Sequence, residues 1–334
     1  MLLGASASSA QTIVDVDDLK LTEGYSRSYE THIGDSIVAD GLIGEIGGPQ
    51  RWDFTTGPTG NRFDYEIVSP AESPAGELFA GANFVERLDR QLEEVTGWTY
   101  YRLGPAGREL HGFYDEVANA NFPAVVFDQP IVDLPSQMEF LDEWSASGSF
   151  PTQLDVAGST VDMVVTVTIN SVVDGFGTVV LPGLGEIEVL RVNELNSQTP
   201  IADIGGIPIQ LERVYSRTYL WISKDYGIVA QLTSEAGTLI PPPDFPIAGR
   251  FIRLVECSAP DPVTDLKFDI EIVNDVVVLT WQQLSGVSAY AIYSSGDLQA
   301  GNSELLGITV DTRYLDSPDV ERKYYWLVPL EDEP

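Results

Sequence analysis

Apolar and polar residues alternate along most of this chain. Val161, Met163, Val165, Val167 and Ile169 are interleaved with Asp162, Thr166, Thr168 and Asn170, the period-two signature of a half-buried strand. The segment WTYYRLGPAGRELHGFYDE reads as a hairpin turning on Gly104-Pro105-Ala106-Gly107, and RVYSRTYLWISKDYGIVAQLTS as another turning at Lys224–Gly227. TVVLPGLGEIEVLRVNEL breaks at Pro182-Gly183 and resumes as a strand from Glu186, and Arg250–Glu256 reads as the last strand of this region. One segment departs from the pattern. In NFVERLDRQLEEV (83–95), Phe84, Leu88 and Leu92 recur every fourth residue and predict a short helix.

Breakers divide the chain. PPPDFP (241–246) is a loop, since its prolines cannot donate to a ladder. CSAPDP (257–262) has the composition of a linker. Beyond it, short strands are predicted at 263–271, 276–282, 289–295, 304–308, 311–316 and 323–330. The pattern predicts an all-β, mainly antiparallel protein: a large curved β domain over 11–256 and a small β-sandwich over 263–334. No tandem repeat is visible. The glycine-rich pieces 41–49 and 183–186 are expected to be turns. No Lys-Ser/Thr follows them and no βαβ context surrounds them, so they are not phosphate-binding loops.

Composition narrows the functional classes. The hydrophobic content of 43% is enough for a packed core. Asp and Glu number 51 against 18 Lys and Arg, a formal charge of -33 spread along the chain. Such a surface repels nucleic-acid phosphates and anionic headgroups, and fits a protein kept soluble in brine. Cys257 is the single cysteine, which excludes an internal disulfide and a thiolate zinc site. Residues 1–10, ending Ala-Ser-Ser-Ala, read as the remnant of a secretory signal. No apolar run is long enough to span a membrane as a helix.

Candidate chemistry is sparse. The two histidines, His32 and His111, have no nucleophile motif beside them, and a strand histidine is the simpler account of each. Carboxylate pairs suited to glycoside chemistry occur at Glu139, Asp142 and Glu143 beside Trp144, and at Asp115 and Glu116; in so acidic a chain such neighbours arise by chance. Asp15, Asp17 and Asp18 have oxygen-rich spacing that suits calcium, without the glycine and terminal glutamate of an EF-hand; a solvated acidic edge is the plainer reading, and no other cofactor is expected. Trp98, Tyr100, Tyr101, Phe113 and Tyr114 form either a carbohydrate-stacking platform or, by strand alternation, a set half turned to the core.

Two resemblances bear on function. Pro262, Trp281, Tyr290-x-Ile292-Tyr293, Thr312-x-Tyr314-x-Asp316 and Tyr324-Tyr325-Trp326 make residues 260–334 resemble a fibronectin type III domain. That fold has seven strands. After Leu330 only Glu331, Asp332, Glu333 and Pro334 follow, so the seventh is expected to be missing. Lys323, Tyr324, Tyr325, Trp326, Leu327 and Val328 would then form an open edge for a strand donated by another chain or by further sequence. Gly47-Gly48 with Trp52-Asp53-Phe54, Phe79–Asn83, Tyr100-Tyr101, residues 175–192 and Tyr219-x-Trp221 resemble the N-terminal module of large secreted bacterial surface proteins, many of them cargo of type IX secretion. The match departs at residues 134–137, and the sorting domain usual in that group is absent. The resemblance implies an extracellular or cell-surface address and no reaction. The long meander also resembles lipoprotein-carrier-like open barrels. The expectation is a secreted, non-enzymatic adhesion or assembly module with protein or glycan partners. The alternatives are a carrier holding an apolar ligand in a curved sheet, and a carbohydrate-active enzyme using a carboxylate pair. A carrier requires a large apolar cavity, and an enzyme requires two carboxylates across a cleft, one with a raised pKa.

Overall fold

The computed structural model describes residues 13–19, 21–58, 60–90, 95–115, 124–156, 159–258, 269–273, 276–281, 287–295, 304–316 and 324–331. Among the described residues strand accounts for 71% and helix for 4%, with no helix of seven residues or more, so the fold is all-β. The chain separates into two compact units, 1–260 and 261–334.

The larger unit contains β1 (Val14–Asp15), β2 (Ser26–Val38), β3 (Gly47–Asp53), β4 (Asn61–Val68), β5 (Phe84–Arg90), β6 (Val95–Gly104), β7 (Gly107–Asp115) and β8 (Ala124–Pro135). It continues with β9 (Gln137–Met138), β10 (Glu143–Val156), β11 (Ser159–Leu181), β12 (Gly185–Ile204), β13 (Ile207–Gln210), β14 (Val214–Ser223), β15 (Gly227–Ser234) and β16 (Ile247–Ser258). One 14-stranded sheet runs in the order β10-β11-β12-β14-β15-β16-β2-β4-β5-β6-β7-β8, with β13 added to β12 and β3 to β11. The path is antiparallel throughout; β3 alone pairs in parallel, against the end of β11.

The two end strands of this path meet. The Ser149 N–H donates to Asp128 Oδ1 at 2.6 Å, and Phe127 packs edge-on to Phe150 with ring centres 5.6 Å apart. Gly148 permits the approach, because a Cβ there would lie 2.5 Å from the Gln129 carbonyl oxygen. The sheet is therefore curled into a barrel whose seam between β8 and β10 is closed by side chains; among the described residues no backbone ladder joins them. Both faces of the β12 entry are covered. Ile187 and Val189 join an outer cluster with Trp52, Phe54, Trp221 and Phe251. Leu190 and Val192 join an inner one with Val14, Val16, Leu19, Leu134 and Met138, which closes one end of the barrel.

Three sequence expectations need correction. Residues 84–90 form a strand between β4 and β6, not a helix. A spacing of four is also an even number, so Phe84 and Leu88 share one face of a strand as readily as one face of a helix. Gly47 and Gly48 open β3 and are not merely a turn: a Cβ on Gly48 would lie 2.1 Å from the Phe176 carbonyl oxygen, so glycine is what lets β3 lie against β11. The final strand of the barrel runs on through Cys257 and Ser258, paired with Arg27 and Ser26, two residues into the segment read as linker. The remainder of that segment and residues 1–10 lie outside the described residues.

The smaller unit has β17 (Asp269–Val273), β18 (Val276–Thr280), β19 (Val287–Ser295), β20 (Glu304–Thr309), β21 (Arg313–Asp316) and β22 (Tyr324–Glu331). They form two three-stranded sheets, β17-β18-β21 and β20-β19-β22. Val277, Leu279 and Trp281 from one sheet pack with Tyr290 and Ile292 from the other, and the Trp281 and Tyr290 rings meet edge to face at 5.3 Å. Tyr314 OH donates to the Leu306 carbonyl at 2.9 Å and Tyr325 OH to Asp316 Oδ2 at 2.7 Å, so each hydroxyl bridges the two sheets. Among the described residues β22 pairs only with β19 and has an open edge.

Candidate functional site: the barrel lumen

Residues opposite one another on a ladder share a face, so register alone traces the inside of the barrel. Ser171 lies opposite Glu194, Glu194 opposite Thr218, Thr218 opposite Thr233, and Thr233 opposite Arg250. On the strands that follow β16 in the path, Arg27 lies opposite Tyr65, and Glu86 opposite both Ile67 and Thr99. Two adjoining spaces lie along this face. The larger has a cavity volume of about 510 Å³ and is walled by Leu110, Phe127, Ile131, Phe150, Val167, Ile169 and Leu220, with Asn196, Gln198 and Gln231 among them. The smaller, of about 190 Å³, lies among Arg27, Tyr29, Tyr65, Glu86, Arg250 and Ile252. Tyr101, Arg108, Ile228 and Gln231 border both.

Charges cluster where these spaces adjoin. Arg27 donates through Nη2 to Glu86 Oε1. Arg108 holds both oxygens of Asp133, at 3.1 and 2.7 Å, and its Nη1 lies 4.0 Å from Glu86. Its guanidinium also stands 4.7 Å from the Tyr101 ring centre. Arg27 and Arg108 are 4% and 5% exposed, so their charges are held by these partners and not by water. Arg250 is different: its Nε is buried with no partner, and it forms no ion pair among the described residues. The Nε of Arg27 is also without a partner.

Burial raises Glu194 to about 7, and the nearby Asp133 adds to the shift, while a 3.4 Å hydrogen bond from Ser171 Oγ opposes it. Burial also raises Asp133, although Arg108 pulls the other way. The two carboxylates thus share one enclosed space and penalise each other's charge.

Of the residues singled out in the sequence, Tyr101 and Phe113 line the lumen and the candidate carboxylates and histidines do not. Asp18 Oδ2 accepts from the Asp15 N–H at 3.2 Å and faces Lys224 Nζ at 3.3 Å. Asp15 Oδ1 accepts from Gln137 Nε2 at 2.9 Å, and Asp17 is exposed. These carboxylates are committed to a turn and a lysine and do not converge; no group able to hold a metal ion is found among the described residues. Asp142 Oδ2 accepts from the Glu139 N–H at 2.8 Å, which fixes the turn before β10. Glu116 and Lys323 lie outside the described residues. His111 is 3.8 Å from Glu109, and burial lowers its pKa. The aromatic set is split by alternation: Tyr100 stacks on Phe79 in one cluster, Tyr101 on Phe84 in another, and Trp98 and Tyr114 pack beside the first. They make no common platform.

No protein-family model matches this chain, and no curated protein is similar enough to it to stand as a relative. Among the described residues no helix is long and apolar enough to cross a membrane.

Sequence reading missed the lumen's polar residues. Arg27, Glu86, Arg108 and Glu194 share their strand faces with apolar residues such as Tyr29, Phe84, Leu110 and Val192, but a charged residue type by itself reads as solvent-facing. A signal exists in β2: Tyr25, Arg27, Tyr29 and Thr31 alternate with Ser26, Ser28 and Glu30. The more apolar of its two faces carries the arginine.

Proposed function

We infer that this is an extracellular, non-catalytic binding protein whose barrel carries a small amphipathic molecule in its lumen. The observation that carries the reading is a partly open space of about 510 Å³, with an apolar wall of Leu110, Phe127, Phe150 and Ile169 among polar side chains, beside a smaller charged pocket. That volume lies within the range typical of small-molecule sites, roughly 300–1,000 Å³, and the mix of apolar wall and few fixed polar groups is typical as well. The address outside the cell rests on the resemblance to secreted surface modules and on the strongly acidic composition.

The carboxylates Asp133 and Glu194 invite a glycosidase reading, since Glu194 is raised to about 7. The commitment of Asp133 weighs against it. Both its oxygens are taken by Arg108, so it has little left to offer a water or an anomeric carbon. The pair is better understood as part of the lumen's charge balance.

The test is saturable binding of a neutral apolar probe, N-phenyl-1-naphthylamine, to the whole chain. One site per chain is expected. Val167→Trp, placed on the lumen wall, should weaken binding by at least about tenfold by filling the space, with little change in Tm. Absence of saturable binding, or binding indifferent to V167W in a folded variant, overturns the carrier reading.

A further inference from the structure

The lumen's charges do not balance. Arg108 is neutralised by Asp133, and Arg27 by Glu86. Glu194, raised to about 7, is largely protonated in mildly acidic solution and only half ionised near neutrality. Arg250 then remains as a cation with no counter-ion among the described residues, its Nε buried and without a hydrogen-bond partner. Arg27, 4% exposed, lines the same space of about 190 Å³ and also has a buried Nε without a partner. A buried N–H donor left unsatisfied is costly, and a guanidinium donor more so. The two arginines stand on the neighbouring strands β16 and β2 and border one small space, which makes a site that lacks its acceptor.

We propose that this pocket binds the carboxylate head of a single-chain amphiphile, with the head between Arg250 and Arg27 and the chain in the adjoining apolar space. This assignment rests on the carrier reading and specifies its ligand. Planar guanidinium groups suit a carboxylate. The chain's charge of -33 opposes entry of an anion from afar, but that repulsion is screened beyond about 8 Å at physiological salt. Inside the lumen the local guanidinium groups act at short range and low dielectric, so they decide the bound state while the surface slows arrival.

The experiment compares dodecanoate, dodecanol and dodecyltrimethylammonium as competitors of N-phenyl-1-naphthylamine on the whole chain at pH 7. Dodecanoate should bind about 10- to 100-fold more tightly than dodecanol, the range of a charge-assisted hydrogen-bonded pair, and the cation should bind worst. Arg250→Gln, at a residue that makes no ion pair among the described residues, should erase most of the preference for dodecanoate while leaving dodecanol affinity within about threefold. Equal binding of dodecanoate and dodecanol by the unaltered chain, or a preference that survives in folded R250Q, overturns the assignment and leaves the carrier reading standing. Failure of every amphiphile and of the probe to bind overturns both.

Discussion

Glu194 shows how one residue couples the lumen to pH. Its ordinary value of 4.5 applies to the unfolded chain, and burial with Asp133 nearby raises it to about 7 in the fold. Between those values the folded chain keeps a proton that the unfolded chain has released. Stability from this group is therefore fully present below about 4.5, falls as pH rises toward about 7, and stays lost above it. With about 1.4 kcal/mol per unit, and a discount for a side chain that faces the void, the loss is about 1–3 kcal/mol. Glu194→Gln should remove this slope. Urea unfolding at pH 5 and pH 8 should show the variant gaining about 1–3 kcal/mol on the unaltered chain between the two. Parallel pH profiles would show that Glu194 titrates at its ordinary value and that the lumen does not hold it protonated.

At the scale of elements, alternation and turn chemistry carried most of the fold. The hairpins at Gly104–Gly107 and Lys224–Gly227 lie where turn residues interrupt alternating strands. Five strands of the smaller unit fall within about two residues of their predicted places, because Trp281, Tyr290 and Ile292 mark its core by size and period; of the first, predicted over 263–271, residues 263–268 lie outside the described residues. Closure of the barrel was not legible. It depends on Gly148 and the Phe127–Phe150 contact between strands far apart in the path, and no local pattern encodes a meeting of that kind. Among the described residues β22 pairs only with β19, and that one-sided pairing carries its own prediction. Pro329 within β22 has no N–H to offer, which suits an edge and limits an added strand to Tyr324–Val328. In a monomer, alternate amides of that stretch point away from β19 and should exchange with solvent quickly. If another chain adds a strand, as an assembling surface protein would require, those amides should become protected as concentration rises from ~10 μM to ~1 mM. Alternating protection at every concentration would remove the assembly reading and leave the barrel's binding role untouched.

For the whole molecule, charge is the dominant long-range force. Exposed ion pairs such as Arg51–Glu186 and Arg62–Glu256 contribute little each, on the order of 0–1 kcal/mol, and salt weakens them. The excess of 51 acidic over 18 basic residues acts in the opposite sense: its self-repulsion penalises the compact state, and salt relieves it. The buried pairs, Arg191–Asp174 and Arg108–Asp133, respond weakly because ions do not reach them. Screening should therefore remove more repulsion than attraction, and Tm should rise as NaCl goes from ~0.01 to ~1 M, with most of the rise below ~0.3 M where the Debye length shortens fastest. Comparison of calcium with magnesium at equal ionic strength separates screening from a specific site. Asp15, Asp17 and Asp18 do not converge on a common point, so the two divalent ions should raise Tm alike. A Tm that is flat or falls with NaCl would show that repulsion does not limit this fold, and an excess rise with calcium alone would place a specific site outside the carboxylates described.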